Sequence, residues 1–109
     1  MSDAQERLAS IDFLRLNRWL LAQGLADGEL QGPTLLAGGT QNLIVRFRCG
    51  GREFVLRKAA GTAYANGSET MRREARILAA LAGTDVPHAR LIAACEDDAV
   101  LGGAFYLME

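Results

Sequence analysis

An excess of charge of either sign is missing from this chain, and that absence closes a first set of functions. Twelve lysines and arginines stand against thirteen aspartates and glutamates in 109 residues, a formal charge of -1, so no net positive field draws nucleic acid or an anionic membrane surface. Aromatics are few, 6% of the residues, and Trp19 and Tyr106 have no basic stripe beside them, so both read as packing residues rather than stacking platforms for bases. The two cysteines, Cys49 beside a glycine turn and Cys95 in an apolar run, provide neither disulfide density nor metal-ligand spacing and read as reduced thiols. The single histidine, His88, lies between Pro87 and Ala89 with no evident acid to orient it, which argues for a loop residue rather than a general base. No apolar run approaches a membrane span, and the first seven residues have neither the basic start nor the apolar core of a secretion signal. The reading is a cytoplasmic protein without a membrane partner.

What is present fits one small domain, residues 1–109, with a modest core and no internal repeat. Residues 10–25 show helical spacing, with Ser10 as cap, Asp12 at the positive end and Gly24 near the close. Two apolar faces, Ile11/Leu14/Leu21/Leu25 and Phe13/Leu16/Leu20, predict packing against more than one surface. Residues 26–33 read as linker and 34–37 as extended.

The clearest element is a hairpin. Leu43-Ile-Val-Arg-Phe-Arg48 alternates, Gly50-Gly51 supplies a tight turn, and Arg52–Lys58 returns. A two-glycine turn sets the register Arg48–Glu53, Phe47–Phe54, Val45–Leu56 and Ile44–Arg57. One face is then almost wholly apolar, whereas the other carries Ile44, Arg46, Val55 and Arg57, a wall suited to a ligand with an apolar ring and an anionic tail. After a small-residue loop, Ser68 caps a second helix that runs to about Ala82 and closes at Gly83. Residues 90–95 and 104–109 read as two further strands, joined through the acidic turn Glu96-Asp97-Asp98 and Gly102-Gly103.

The inward stripe of the second helix is Met71, Ala75, Leu78 and Ala82, and Glu74 lies within it. A carboxylate in an apolar setting requires a partner, and Arg57 on the mixed hairpin face is the best placed cation. The alternative is that Glu74 edges a solvated face flanked by Arg72, Arg73 and Arg76. Gly38-Gly39 can bring bare backbone N–H groups close to phosphates, or can be an ordinary turn, since neither a full G-x-G-x-x-G nor a Walker loop is present.

The segments Leu36–Leu43, Phe54–Lys58, Met71–Leu81, Val86–Arg90 and Cys95–Glu109 occur in an order and spacing that resembles the N-terminal lobe of the aminoglycoside phosphotransferase family, in particular the branch related to the kinase-like domain of acyl-CoA dehydrogenase fusions. The resemblance implies an α+β, protein-kinase-like small lobe: a twisted antiparallel sheet of about five strands, a packed helix and an extra N-terminal helix. It implies a nucleotide site for ATP with Mg2+, in which Arg57 contacts phosphate, Glu74 pairs with Arg57, and Gly38 with Gly39 forms the phosphate loop, to which Thr40 could add a polar contact or serve simply as a turn former. Val55 would touch the adenine, Met108 would back its pocket, and the Glu109 carbonyl would face its amino group. The chain departs from the branch at three points. Arg57-Lys58-Ala59-Ala60 lacks two prolines, Gln41 replaces a serine, and an arginine replaces the lysine general to kinases, which keeps the charge and changes the geometry.

The family's catalytic and metal-binding residues would lie in a larger lobe beyond Glu109, so no catalytic or metal residue is expected within 1–109. The expectation is a chain inactive alone that would, with that lobe, phosphorylate a small-molecule hydroxyl. The alternative is a non-catalytic scaffold that uses the exposed lobe surface, including for self-association.

Overall fold

A computed structural model describes residues 3–38, 42–59 and 67–109. The chain order is α1 (Asp3–Ala9), α2 (Phe13–Ala22), β1 (Leu30–Gly38), β2 (Asn42–Cys49), β3 (Arg52–Ala59), α3 (Gly67–Leu81), β4 (Leu91–Cys95), α4 (Asp98–Leu101) and β5 (Phe105–Met108). The strands form a single antiparallel sheet in the order β1-β2-β3-β5-β4. This is the expected α+β arrangement of five strands with helices on the sheet.

The β2–β3 hairpin has the register expected from its glycine turn, with Arg48 opposite Glu53, Phe47 opposite Phe54, Val45 opposite Leu56 and Ile44 opposite Arg57. Gly50 and Gly51 have φ of 60° and 78°, the left-handed pair that a two-residue turn requires to match strand twist. Side-chain alternation then divides the core in two. Val45, Phe47, Phe54 and Leu56 join Phe105 and Leu107 beneath α2, where Phe47 stacks on Phe54 at 5.3 Å and Trp19 meets Phe105 edge-on at 5.1 Å. Each such buried side chain contributes about 1.5–3 kcal/mol. On the opposite face Ala59, Ala104 and Tyr106 pack against Met71 and Ala75 of α3.

Five expectations are corrected. The first helix is two: Ser10 closes α1 by donating its hydroxyl to the Arg7 carbonyl at 2.6 Å, and Asp12 caps α2 by accepting from the Arg15 N–H at 3.1 Å. Within α2 the buried side chains are Leu16 and Leu20, whereas Leu14 and Leu21 are 62% and 48% exposed; of the other predicted stripe only Ile11 and Leu25, outside α2, pack into the core. The supposed linker already contains β1, which starts at Leu30 and absorbs Gly32 and Pro33 in a register shift between Gln31 and Thr34. Asn17 secures that start, donating to the Gly28 carbonyl at 3.0 Å and accepting from the Leu30 N–H at 3.1 Å. The acidic turn continues into α4, capped by the Asp97 side chain on the Ala99 N–H at 2.8 Å. Ser68, finally, lies inside the first turn of α3, which starts at Gly67. Its hydroxyl accepts from the Ala104 N–H at 3.0 Å and so joins α3 to the start of β5.

Gly67 permits a close approach at this end of the helix. A Cβ there would lie 2.6 Å from the Ala59 Cβ, closer than packed carbons tolerate, so the bare backbone seats α3 directly on the end of β3.

Candidate functional site

The helix-facing side of the sheet collects the residues singled out in the sequence. Arg57 pairs across β3 and β5 with Tyr106, and Val55 pairs with Met108. Directly paired residues present their side chains on one face, so Val55, Arg57, Tyr106 and Met108 form a block, continued on β2 by Ile44 opposite Arg57 and Arg46 opposite Val55. The block is apolar at Val55, Met108 and Ile44 and cationic at Arg57.

Glu74 enters from α3. Arg57 Nε donates to Glu74 Oε1 at 2.8 Å, and Nη2 donates to Oε2 at 3.5 Å. The side chains are 26% and 31% exposed, which places the pair between a screened surface bridge and a buried one. Glu74 is thus the partner of Arg57 and not the edge of a solvated face. Two of its flanking arginines are committed elsewhere: Arg72 donates to the Glu96 carbonyl at 2.9 Å and to Asp98 at 2.7 Å, and Arg76 lies 3.6 Å from Glu69.

Tyr106 supplies a contact that the sequence reading missed. Its hydroxyl donates to Glu74 Oε1 at 2.9 Å, so the same carboxylate oxygen receives Arg57 Nε and the phenol. Burial, followed by the hydrogen bond and charge of Glu74, pushes the Tyr106 phenol well above its usual range, because ionisation would place a second anion against the carboxylate. The signal was present in the sequence only as parity: Tyr106 is two residues before Met108 and must share its face.

Lys58 is a second residue outside expectation. It follows Arg57 onto the opposite, apolar face, is 5% exposed, and donates from Nζ to the Ala59 carbonyl at 3.1 Å. Burial lowers its ammonium below the ordinary lysine value.

The remaining predicted positions are distributed as follows. Gly38 ends β1 opposite Leu43, whereas Gly39 and Thr40, with Gln41, lie outside the described residues. Glu109 follows β5, its N–H donating to the Arg90 carbonyl at 3.0 Å and its carboxylate 3.4 Å from Arg90 Nη1. A recess of about 470 Å³, lined in part by Arg46, Arg48 and Glu53, sits toward the hairpin turn, one step along the sheet from Val55. Among the described residues no three acidic, histidine or cysteine side chains converge as a metal site, and Glu74 has both oxygens engaged. Both Glu74 oxygens are turned to Arg57 and Tyr106 rather than toward a cation. Among the same residues no helix is long and apolar enough to cross a membrane.

A five-stranded antiparallel sheet with one helix salt-bridged to a central strand is the arrangement of a kinase-like phosphotransferase domain. A crystal structure from Ralstonia eutropha JMP134, provisionally described as an aminoglycoside phosphotransferase, superposes with a TM-score of 0.69 at 32% identity over 91% of this chain and 27% of that one. The family model described as the phosphotransferase enzyme family (APH) matches residues 33–109, and the chain belongs to that family. Acyl-CoA dehydrogenase family member 10 of Mus musculus is 37% identical over 90 residues, which is 80% of this chain and 8% of that protein. The chain thus spans a small part of each relative.

Proposed function

We propose that this chain is the nucleotide-holding lobe of an ATP-dependent phosphotransferase whose acceptor is a small-molecule hydroxyl. The Arg57–Glu74 pair beside the Val55/Met108 surface carries the reading. An apolar wall suits an adenine ring, and a guanidinium held by a carboxylate suits the α- and β-phosphates. Gly38, Gly39 and Thr40 would add backbone donors to the phosphates, and the Glu109 carbonyl would accept from the adenine amino group. Mg2+ would arrive with the nucleotide and be held by residues outside 1–109. Residues 1–109 alone would bind nucleotide without transferring phosphate, because phosphoryl transfer requires a positioned nucleophile and bound metal.

The test is calorimetric titration of the full-length protein with Mg·ATP and with adenosine. Arg57→Ala is expected to weaken ATP by about ten- to a hundredfold, the worth of charge-assisted hydrogen bonds to phosphate, and to leave adenosine unchanged. Equal ATP affinity in parent and variant, or no ATP binding by the parent at millimolar concentration, would refute the reading and turn attention to a non-catalytic scaffold.

A further inference from the structure

We infer that Tyr106 is a positioning residue for phosphate, acting through Glu74 to fix the plane of the Arg57 guanidinium; the inference rests on the nucleotide reading above. The argument begins with the choice of arginine at position 57. An ammonium is a point charge on a rotatable stem and attracts phosphate from many angles, whereas a guanidinium is a flat fork whose N–H groups must be aimed. A strand arginine in this role therefore needs its plane set, a demand that a lysine would not make.

The geometry meets that demand. Glu74 takes the Nε edge of Arg57 side-on, through Nε at 2.8 Å and Nη2 at 3.5 Å. Of the five guanidinium N–H groups, both on Nη1 and one on Nη2 then remain for a ligand. A glutamate on a helix and an arginine on a strand, bonded only to each other, could still swing as a unit. Tyr106 removes that freedom. Its hydroxyl reaches the same Oε1 at 2.9 Å, its ring is buried among Ala59, Met71, Ala75 and Ala104, and its backbone is paired with that of Arg57 itself. The carboxylate is thus referred to the strand beside Arg57 as well as to α3, and the fork can point in one direction only.

The experiment compares the full-length protein with Tyr106→Phe, first in the parent and then on an Arg57→Lys background. Phenylalanine keeps the packed ring, and an unchanged far-UV spectrum checks the fold. In the parent background the loss of one hydrogen bond to a charged group is expected to weaken Mg·ATP on the order of tenfold, with adenosine unaffected. The Arg57 Nε–Hε NMR signal should shift and exchange faster with solvent. On the lysine background the same substitution should change ATP affinity less than about twofold, because an ammonium has no plane to orient. Unchanged ATP affinity in the arginine background, or an equal loss with arginine and lysine, would overturn the inference. Should the parent bind no ATP, the nucleotide reading fails separately, and the Arg57 signal still decides the positioning: a moved signal supports it and an unmoved one overturns it.

Discussion

Replacing Glu74 by glutamine removes one charge and almost no volume from the Arg57–Glu74–Tyr106 cluster, which makes its cost calculable. Unit charges about 4 Å apart attract by roughly 4 kcal/mol at an effective dielectric near 20. Glutamine still offers one oxygen to Arg57 Nε or to the Tyr106 hydroxyl, but its amide nitrogen now faces the donor that Oε2 had accepted. Because the partners are 26% and 31% exposed, solvent screens part of the attraction and rehydrates part of the loss. The expected destabilisation is about 1–2 kcal/mol, above the 0–1 of a surface pair and below the 3–5 for breaking a buried one. For a domain near this size that is a fall in melting temperature of roughly 4–12 °C. Thermal melts of the parent, Arg57→Ala, Glu74→Gln and the double variant measure it, and the pair should show a coupling energy of about 1 kcal/mol. A glutamine variant melting within about 1 °C of the parent, with coupling below about 0.3 kcal/mol, would refute the pairing as an energetic fact.

Two further predictions concern groups the sequence did not mark. Lys58→Met exchanges a buried ammonium with one carbonyl acceptor for an apolar side chain of similar length, so stability should be unchanged or raised by up to about 1 kcal/mol; a urea-measured loss greater than that would show that the ammonium stabilises the fold. The Tyr106 phenol has its folded-state pKa raised, so its contribution is complete below the ordinary tyrosine value near 10 and is lost as pH rises above it. Lys58, with its folded pKa lowered, has the opposite sign and adds stability as pH rises toward its ordinary value. Urea midpoints from pH 8 to 11 should therefore fall less in Tyr106→Phe than in the parent, and parallel curves would remove Tyr106 from the account.

The sequence was legible where local rules and pairing coincide. Alternation around Gly50-Gly51 fixes the hairpin register, and the hairpin register fixes which face Arg57 shares with Val55. Helical spacing with one charge out of place was enough to select Glu74. Legibility ended where the deciding contact is side chain to backbone or distant in sequence. The helical period runs through residues 10–12 without a visible break, and α1 is divided from α2 by the Ser10 and Asp12 side-chain bonds together with the extended backbone of Asp12. Pro33 and Gly32 resemble linker because the register shift that accommodates them in β1 depends on β2. Tyr106 was placed correctly as packing, but its hydroxyl acquires a role only after β5 inserts between β3 and β4, an order that nothing local specifies.

The seat of α3 determines which sequence changes the fold can accept. The helix is indexed against the sheet twice, at Ser68 on the Ala104 N–H and at Glu74 on Arg57 and Tyr106, and the two marks are six residues apart. One residue inserted between them rotates everything beyond it by about 100° and advances it about 1.5 Å. With Ser68 still seated, that carries Glu74 off the strand and brings Arg73 toward the position it vacated, so a cation would meet Arg57. The interval from 68 to 74 therefore behaves as a fixed gauge: substitutions on its outer side can accumulate, whereas an inserted residue would replace attraction by repulsion at the site in a single step, and a deleted one, which brings Ala75 there, would remove the attraction.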